Sequence, residues 1–368
     1  MRRSLRGALL LAATPALLSP TQDQLLDLQG PVFSIEEDLH QVNGGAVLSD
    51  GRVIVANSGS SEVRMHSSDG TLIRRIGRPG AGPGEFRTVS GLIAGPRDSI
   101  FVFDWQLRRI SVFSPRGEYA RTITTAHLGS GLAIPYLIGF FDPTSLLIAL
   151  RASADPNAPP GIQRPPATYI IVNRQAAVVD TFATLPDAER WVRYRNQSLR
   201  TAPVPFGKGT SVAVSSSFAV VADQGTPAVR VLDRQGRPTR TIQPPWGPAP
   251  VRERDVERYK EWRMATVPEI ARPAEARTLA EIPIPSSRPG FGRVHASRTG
   301  EILLERFHAF PQEPGEAVVF SADGRQYLHL RIPAGLEILW IGQGLVLTLR
   351  RDELDVESVQ VYRIPGFR

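Results

Sequence analysis

The residue types best suited to chemistry in this sequence are polar groups that close apolar runs at a fixed spacing. Asn57, Asp104 and Asp223 end the runs 53–56, 100–103 and 219–222; each is followed by a second apolar strand 6 positions on and by a Gly 13 positions on. A row of such groups at one level of an array would suit acid–base or metal chemistry. Repetition at constant offsets argues for a structural job in each copy instead: the side chain caps its own loop by hydrogen bonds to the backbone.

Other chemical signatures are sparse. The six histidines (His40, His66, His127, His295, His308 and His329) include no i, i+4 pair and no His-Glu-x-x-His. The serines in 58–61 and 129–131 miss the Gly-x-Ser-x-Gly spacing of a nucleophile elbow. The glycines of 77–84 are not followed by Lys-Ser/Thr, so they read as a tight crossing between units, not a phosphate loop. The neighbouring carboxylates Glu36-Glu37 and Asp352-Glu353 fall at strand ends, where solvation explains them. With 0 Cys, disulfides, thiol catalysis and cysteine metal sites are excluded.

These residues need elements to hold them. Short apolar runs bounded by Gly, Pro, Asp or Ser read as strands. The repeat resolves into four-stranded antiparallel meanders of roughly 45 residues, the size of a propeller blade. Six units fit the chain. The sixth lacks its outer strand, and an unassigned strand at 31–36 is predicted to supply it and close the ring. The expected class is therefore all-β: a six-bladed β-propeller over 31–366 with four-stranded antiparallel blades and two partly helical insertions, 184–204 and 244–288. In the first, 187–194 is read as a short helix. In the second, Val256, Tyr259 and Arg263 or Lys260 mark a helical face, and 273–280 adds a turn or two.

In that register the inner strands begin near Asn43, Ser90, Tyr136, Lys208 or Thr210, Arg293 or His295, and Trp340. Only Asn43 and His295 are ordinary metal ligands, too few for a protein-held catalytic ion, so no metal or other cofactor is expected. The aromatic and cationic side chains of the insertions (Trp191, Arg193, Tyr194, Trp246) accompany them. The ligand-binding candidates are Asn43, Tyr136, Lys208, Arg293, His295, Trp262 and Tyr259, at one mouth of the channel under the insertions. No catalytic residue can be named.

The chain opens with Arg2, Arg3 and Arg6 ahead of the apolar run 7–18, which is too short to span a bilayer. This pattern predicts a leader over 1–19 and export to the periplasm or the cell exterior. The formal charge of +7 is spread through the chain without a basic run, which speaks against nucleic acid as a partner. A monomer without a transmembrane span is expected.

The segment 77–86 (Gly-Arg-Pro-Gly-Ala-Gly-Pro-Gly-Glu-Phe), the strand ending at Asp104, the Arg109-Ile110 strand start and the turn at Gly117 resemble an NHL repeat. The second unit carries the match closely, and the first and fourth carry it partially. With its leader and the acidic–apolar stretch 352–356, the whole chain resembles the exported bacterial 6-bladed β-propeller family. The resemblance implies a six-bladed propeller whose relatives bind proteins, carbohydrates or other ligands, or act as lyases or lactonases. The function expected is an exported ligand- or protein-binding scaffold, more a binder than an enzyme. The alternative is a lactonase-like lyase or hydrolase working in the central channel.

Overall fold

The computed structural model describes residues 25–28, 30–129, 133–195, 198–310, 312–352 and 354–365. The expected leader, 1–19, lies outside them. Among the described residues no helix is long and apolar enough to cross a membrane.

Six four-stranded antiparallel meanders form the molecule. Blade 1 runs Val42–Val47, Val53–Asn57, Glu62–His66, Leu72–Ile76, and blade 2 runs Gly91–Ala94, Ile100–Asp104, Arg109–Phe113, Tyr119–Thr124. Blade 3 is Ile134–Asp142, Ser145–Arg151, Pro166–Val172, Val178–Pro186, and blade 4 is Thr210–Val214, Ala219–Asp223, Val229–Leu232, Pro238–Ile242. Blade 5 is Phe291–Ala296, Ile302–Arg306, Gly315–Phe320, Gln326–Ile332; blade 6 is Leu336–Gly342, Leu345–Arg351, Glu357–Arg363, with Phe33–Ile35 as its fourth, outer strand. The inner strand of each blade touches that of the next, and the sixth touches the first. The chain is a six-bladed β-propeller.

The second strands show why these sequences stack. Every residue of Val53–Asn57, Ile100–Asp104 and Ala219–Asp223 is buried. Successive side chains on a strand point to opposite faces, so one run serves two interfaces. Val53 and Val55 pack against blade 6, whereas Ile54 and Ala56 pack against blade 2. Ile100 and Val102 face blade 1 while Phe101 and Phe103 face blade 3. Full burial of an Ile or Phe contributes about 1.5–3 kcal/mol, which explains why near-continuous apolar runs replace polar–apolar alternation here.

The N-terminal strand pairs antiparallel with the last one, Ser34 opposite Gln360. A further strand, Leu25–Asp27, adds in parallel to the outer strand of blade 5, with Leu26 opposite Leu330; the repeat gave no sign of it.

One of the two insertions differs from expectation. The first is not helical: Arg190–Arg195 and Ser198–Pro203 form a β-hairpin, joined by Gly161–Gln163 from the excursion inside blade 3. β-Branched and aromatic residues at Trp191, Val192 and Tyr194 outweigh the helix-forming charges around them. The second insertion is helical, with α1 at Glu253–Thr266 and α2 at Arg272–Glu281. Asp255 accepts from the Arg252 N–H at the start of α1 (3.0 Å). Pro273 sits in the first turn of α2. Pro283 follows closely after its end, where the residue before a proline leaves the helical region.

Candidate functional site

The repeated polar residues are loop ties. Asp104 accepts from the backbone N–H of Arg87 (2.8 Å), Thr88 (3.2 Å) and Leu107 (2.9 Å), binding the lead-in to blade 2 onto the turn after its second strand. Asn57 does the same in blade 1: its Oδ1 accepts from His40 N–H (2.7 Å) and its Nδ2 donates to the Asp38 carbonyl (3.3 Å). Asp223 accepts from Gly225 N–H (2.9 Å) and from Arg164 (2.7 Å), whose guanidinium also reaches the Gly209 carbonyl (2.9 Å).

The glycine-rich crossing is likewise structural. Gly77 and Gly84 have φ of +82° and +73°, and a Cβ on Gly77 would run into the Phe86 ring. Arg109 donates to the carbonyls of Ala81, Gly82 and Glu85 (2.9, 2.6 and 2.8 Å), which fixes the loop.

Where blades 4, 5 and 6 meet at the same end of the ring, the repeat gives way to a cavity of about 690 Å³. Thr210, Ser211 and Gln224 of blade 4, Arg293, Glu305 and Phe307 of blade 5, and Glu337 and Arg351 of blade 6 line it; Trp262 and Thr266 of α1 form its cover. In blades 5 and 6 the second strands close on charged pairs, Glu305-Arg306 and Arg350-Arg351, where blades 1, 2 and 4 carry the capping Asn or Asp.

A charge relay crosses the cavity wall. Arg293 Nε lies 3.2 Å from Glu305 and its Nη1 2.7 Å from Glu337. Glu337 reaches Arg351 (3.5 Å), Arg351 reaches Glu357 (3.1 Å), and Glu357 accepts from Val42 N–H (2.7 Å). His295 Nε2 is 2.7 Å from Glu305 Oε1. Burial pushes the Glu305 carboxyl up, but the Arg293 charge and the His295 hydrogen bond together outweigh it and hold the group below the ordinary Glu range. The Trp262 indole Nε1 is buried with no hydrogen-bond partner. Orphan donors of this kind are costly unless something bonds them.

At the far end of the channel Arg298, in a turn of blade 5, donates to the Gly95 carbonyl of blade 2 (3.3 Å). Blades 2 and 5 face each other across a ring of six, so this side chain bridges the opposite mouth.

Of the expected binding residues, Arg293 and Trp262 line the mouth cavity, and His295 supports it from behind through Glu305. Tyr259 lines a separate cleft between the hairpin and the helices and stacks with Phe206 and Trp262, both at 5.6 Å. The other three stand apart. Asn43 donates to the Val89 carbonyl between blades 1 and 2. Tyr136 packs in the blade 3–4 core beneath Arg151, 4.7 Å from its ring. Lys208 is exposed, and its backbone N–H donates to Glu189 (2.9 Å). Start-of-strand register placed them, and register does not say which blade interfaces open into a cavity. Glu305, Glu337 and Arg351 were missed; the available signal was the departure from the capping pattern in blades 5 and 6. Among the described residues no three His, Cys, Asp or Glu side chains are grouped as metal ligands.

Residues 45–130 match the family DUF5128, described as a 6-bladed beta-propeller. No curated protein matches. A crystal structure of a member of the duf4221 family from Bacteroides vulgatus superposes with a TM-score of 0.57 at 11% identity, covering 93% of this chain and 98% of the other. Virginiamycin B lyase from Staphylococcus aureus gives 0.45 at 9% identity over 89% and 98%, and a luciferin-regenerating enzyme gives 0.47 at 10% over 92% and 97%. The family match and the first of these structures concern the fold: the chain is a six-bladed β-propeller.

Proposed function

We propose that this propeller is a binding protein that takes a small polar ligand in the cavity where blades 4, 5 and 6 meet, beneath α1. The observation that carries the reading is a cavity bordered by Trp262, whose buried indole N–H has no partner, and by a wall whose charges are already paired. A ligand accepting from Trp262 gains a hydrogen bond in a desolvated place. It stacks on apolar surface from Trp262 and Phe307, and it meets carboxylates and guanidinia fixed by one another. Such a wall suits hydroxyl-rich or zwitterionic molecules over simple ions: a saccharide or a short peptide.

The enzyme alternative has less support. His295, the histidine of the inner strands, is tied to Glu305 and does not line the cavity. We place the protein outside the cytoplasm on the strength of the basic–apolar leader pattern, and N-terminal sequencing of the mature protein checks this. Met1 or Arg2 at the mature terminus would contradict it.

Thermal-shift screening of the full chain against mono- and oligosaccharides and dipeptides, repeated on Trp262→Phe, tests the binding reading. A hit whose stabilisation is lost in the variant is expected. Hits that the variant leaves unchanged would place the ligand elsewhere.

A further inference from the structure

The cleft between the first insertion and the helices is a second cavity, of about 710 Å³, walled by Ser198–Pro203 on one side and by α1 and α2 on the other. Ser198–Pro203 is an edge strand: its sheet runs Gly161–Gln163, Arg190–Arg195, Ser198–Pro203 and ends there. In an antiparallel pair, alternate residues of an edge strand point their N–H and C=O groups away from the partner. Ser198, Arg200, Thr201, Ala202 and Pro203 of this strand line the cleft.

The walls are fixed before anything binds. Arg193 stacks 4.1 Å over Trp191, donates to Thr278 Oγ1 (2.7 Å) and pairs with Glu281 (3.3 Å), which ties the hairpin to α2. Arg263 pairs with Glu275 (2.6 Å), which ties α1 to α2. Leu279 and Ile282 give the cleft an apolar floor, and both are buried. Arg200 projects from the edge strand itself, exposed and with no ion-pair partner among the described residues. The lining therefore carries Arg193, Arg200 and Arg263 against Glu275 alone.

We propose that this cleft is a peptide-binding site, distinct from the channel mouth, that captures an extended acidic segment of a partner protein by strand addition to Ser198–Pro203. Main-chain bonds along six residues, about 20 Å of strand, supply register and affinity. Arg200 meets the acidic side chains, and the Leu279–Ile282 floor takes apolar ones. A second copy of this chain fits less well, because pairing two such edges sets arginine against arginine.

The experiment is selection of a displayed library of random seven-residue peptides on the full-length protein. Enriched peptides are then titrated by fluorescence anisotropy against the parent and Arg200→Glu, and as backbone N-methylated forms. The expected result is enrichment of acidic residues alternating with apolar ones. Binding should weaken at least 10-fold in Arg200→Glu, whose circular dichroism matches the parent, and should be lost on N-methylation. The proposal is overturned by enrichment of non-acidic peptides, or by no enrichment. It is equally overturned if binding ignores Arg200→Glu or N-methylation, or if hydrogen exchange protects Ser198–Pro203 only in a self-associated dimer.

Discussion

Blades 1 and 2 and blades 5 and 6 share one meander and differ in what stands at the end of the second strand. In blades 1 and 2, Asn57 and Asp104 turn inward and spend their hydrogen bonds on backbone N–H and carbonyl groups of their own blade. In blades 5 and 6 the charged side chains pair with one another instead: Glu305 with Arg293, Arg351 with Glu337 and Glu357, and Arg293 with Glu337 across the boundary between the two blades. A cap that satisfies local backbone closes its interface. A relay of longer charged side chains leaves room beside it, and that room is the cavity. Regular repeats stabilise this ring, and the cavity proposed for a ligand lies at its exceptions.

The comparison breaks most visibly in the regular half. Phe103 is buried at the blade 2–3 interface, and Phe103→Ala should cost about 3–5 kcal/mol in urea unfolding while leaving ligand binding to the remaining folded protein unchanged. Asp104→Ala, which strips acceptors from three backbone N–H groups, should cost about 2–3 kcal/mol by the same measurement.

In the irregular half the expected stability effect is smaller and the binding effect larger. Glu305→Gln keeps the shape but unbalances Arg293, which retains Glu337. Because Arg293 is half exposed, the loss should be about 1 kcal/mol at pH 7, with ligand affinity falling about 10-fold. The Glu305 carboxyl is depressed in the fold, so its stabilisation is full above the ordinary Glu value and disappears as pH falls through the lower folded one. Glu305→Gln should therefore converge with the parent as pH falls below the ordinary Glu value of about 4.3.

His66 sharpens the same contrast from blade 1. Burial pushes its pKa below the ordinary 6.5; its Nδ1 lies 3.0 Å from the Gly70 carbonyl, and its Nε2 is buried unpartnered. A neutral buried histidine stabilises the fold above pH about 6.5 and loses that contribution as pH falls toward the depressed value. The urea midpoint should decline modestly between pH 7 and 5, and His66→Phe should flatten that part of the curve.

Much of the ring was legible because its cause is local and repeated. The constant spacing of Asn57, Asp104 and Asp223 carried blade size, strand order and the capping role, and the unpaired run at 31–36 pointed to the partner of Glu357–Arg363. The parallel strand Leu25–Asp27 was not legible, because three residues carry no period. The hairpin at Arg190–Arg195 was misread as helix, since its charges fit an α pattern and its pairing partner lies across a turn. Half of the site was hidden for a related reason. Glu337 matters through its contact with Arg293 of the neighbouring blade, and Arg351 through Glu337, and strand spacing within one blade encodes neither.

The most direct test of the central claim, that the exception in the repeat is the binding site, is the indole N–H resonance of Trp262 in a ¹H–¹⁵N spectrum of the full chain. It would be assigned with Trp262→Phe and followed while a screened saccharide or dipeptide is titrated. The account predicts that this signal moves downfield and saturates with the binding curve, while the indole signal of Trp105 in blade 2 stays in place. A saturable ligand that leaves the Trp262 signal unmoved would contradict it.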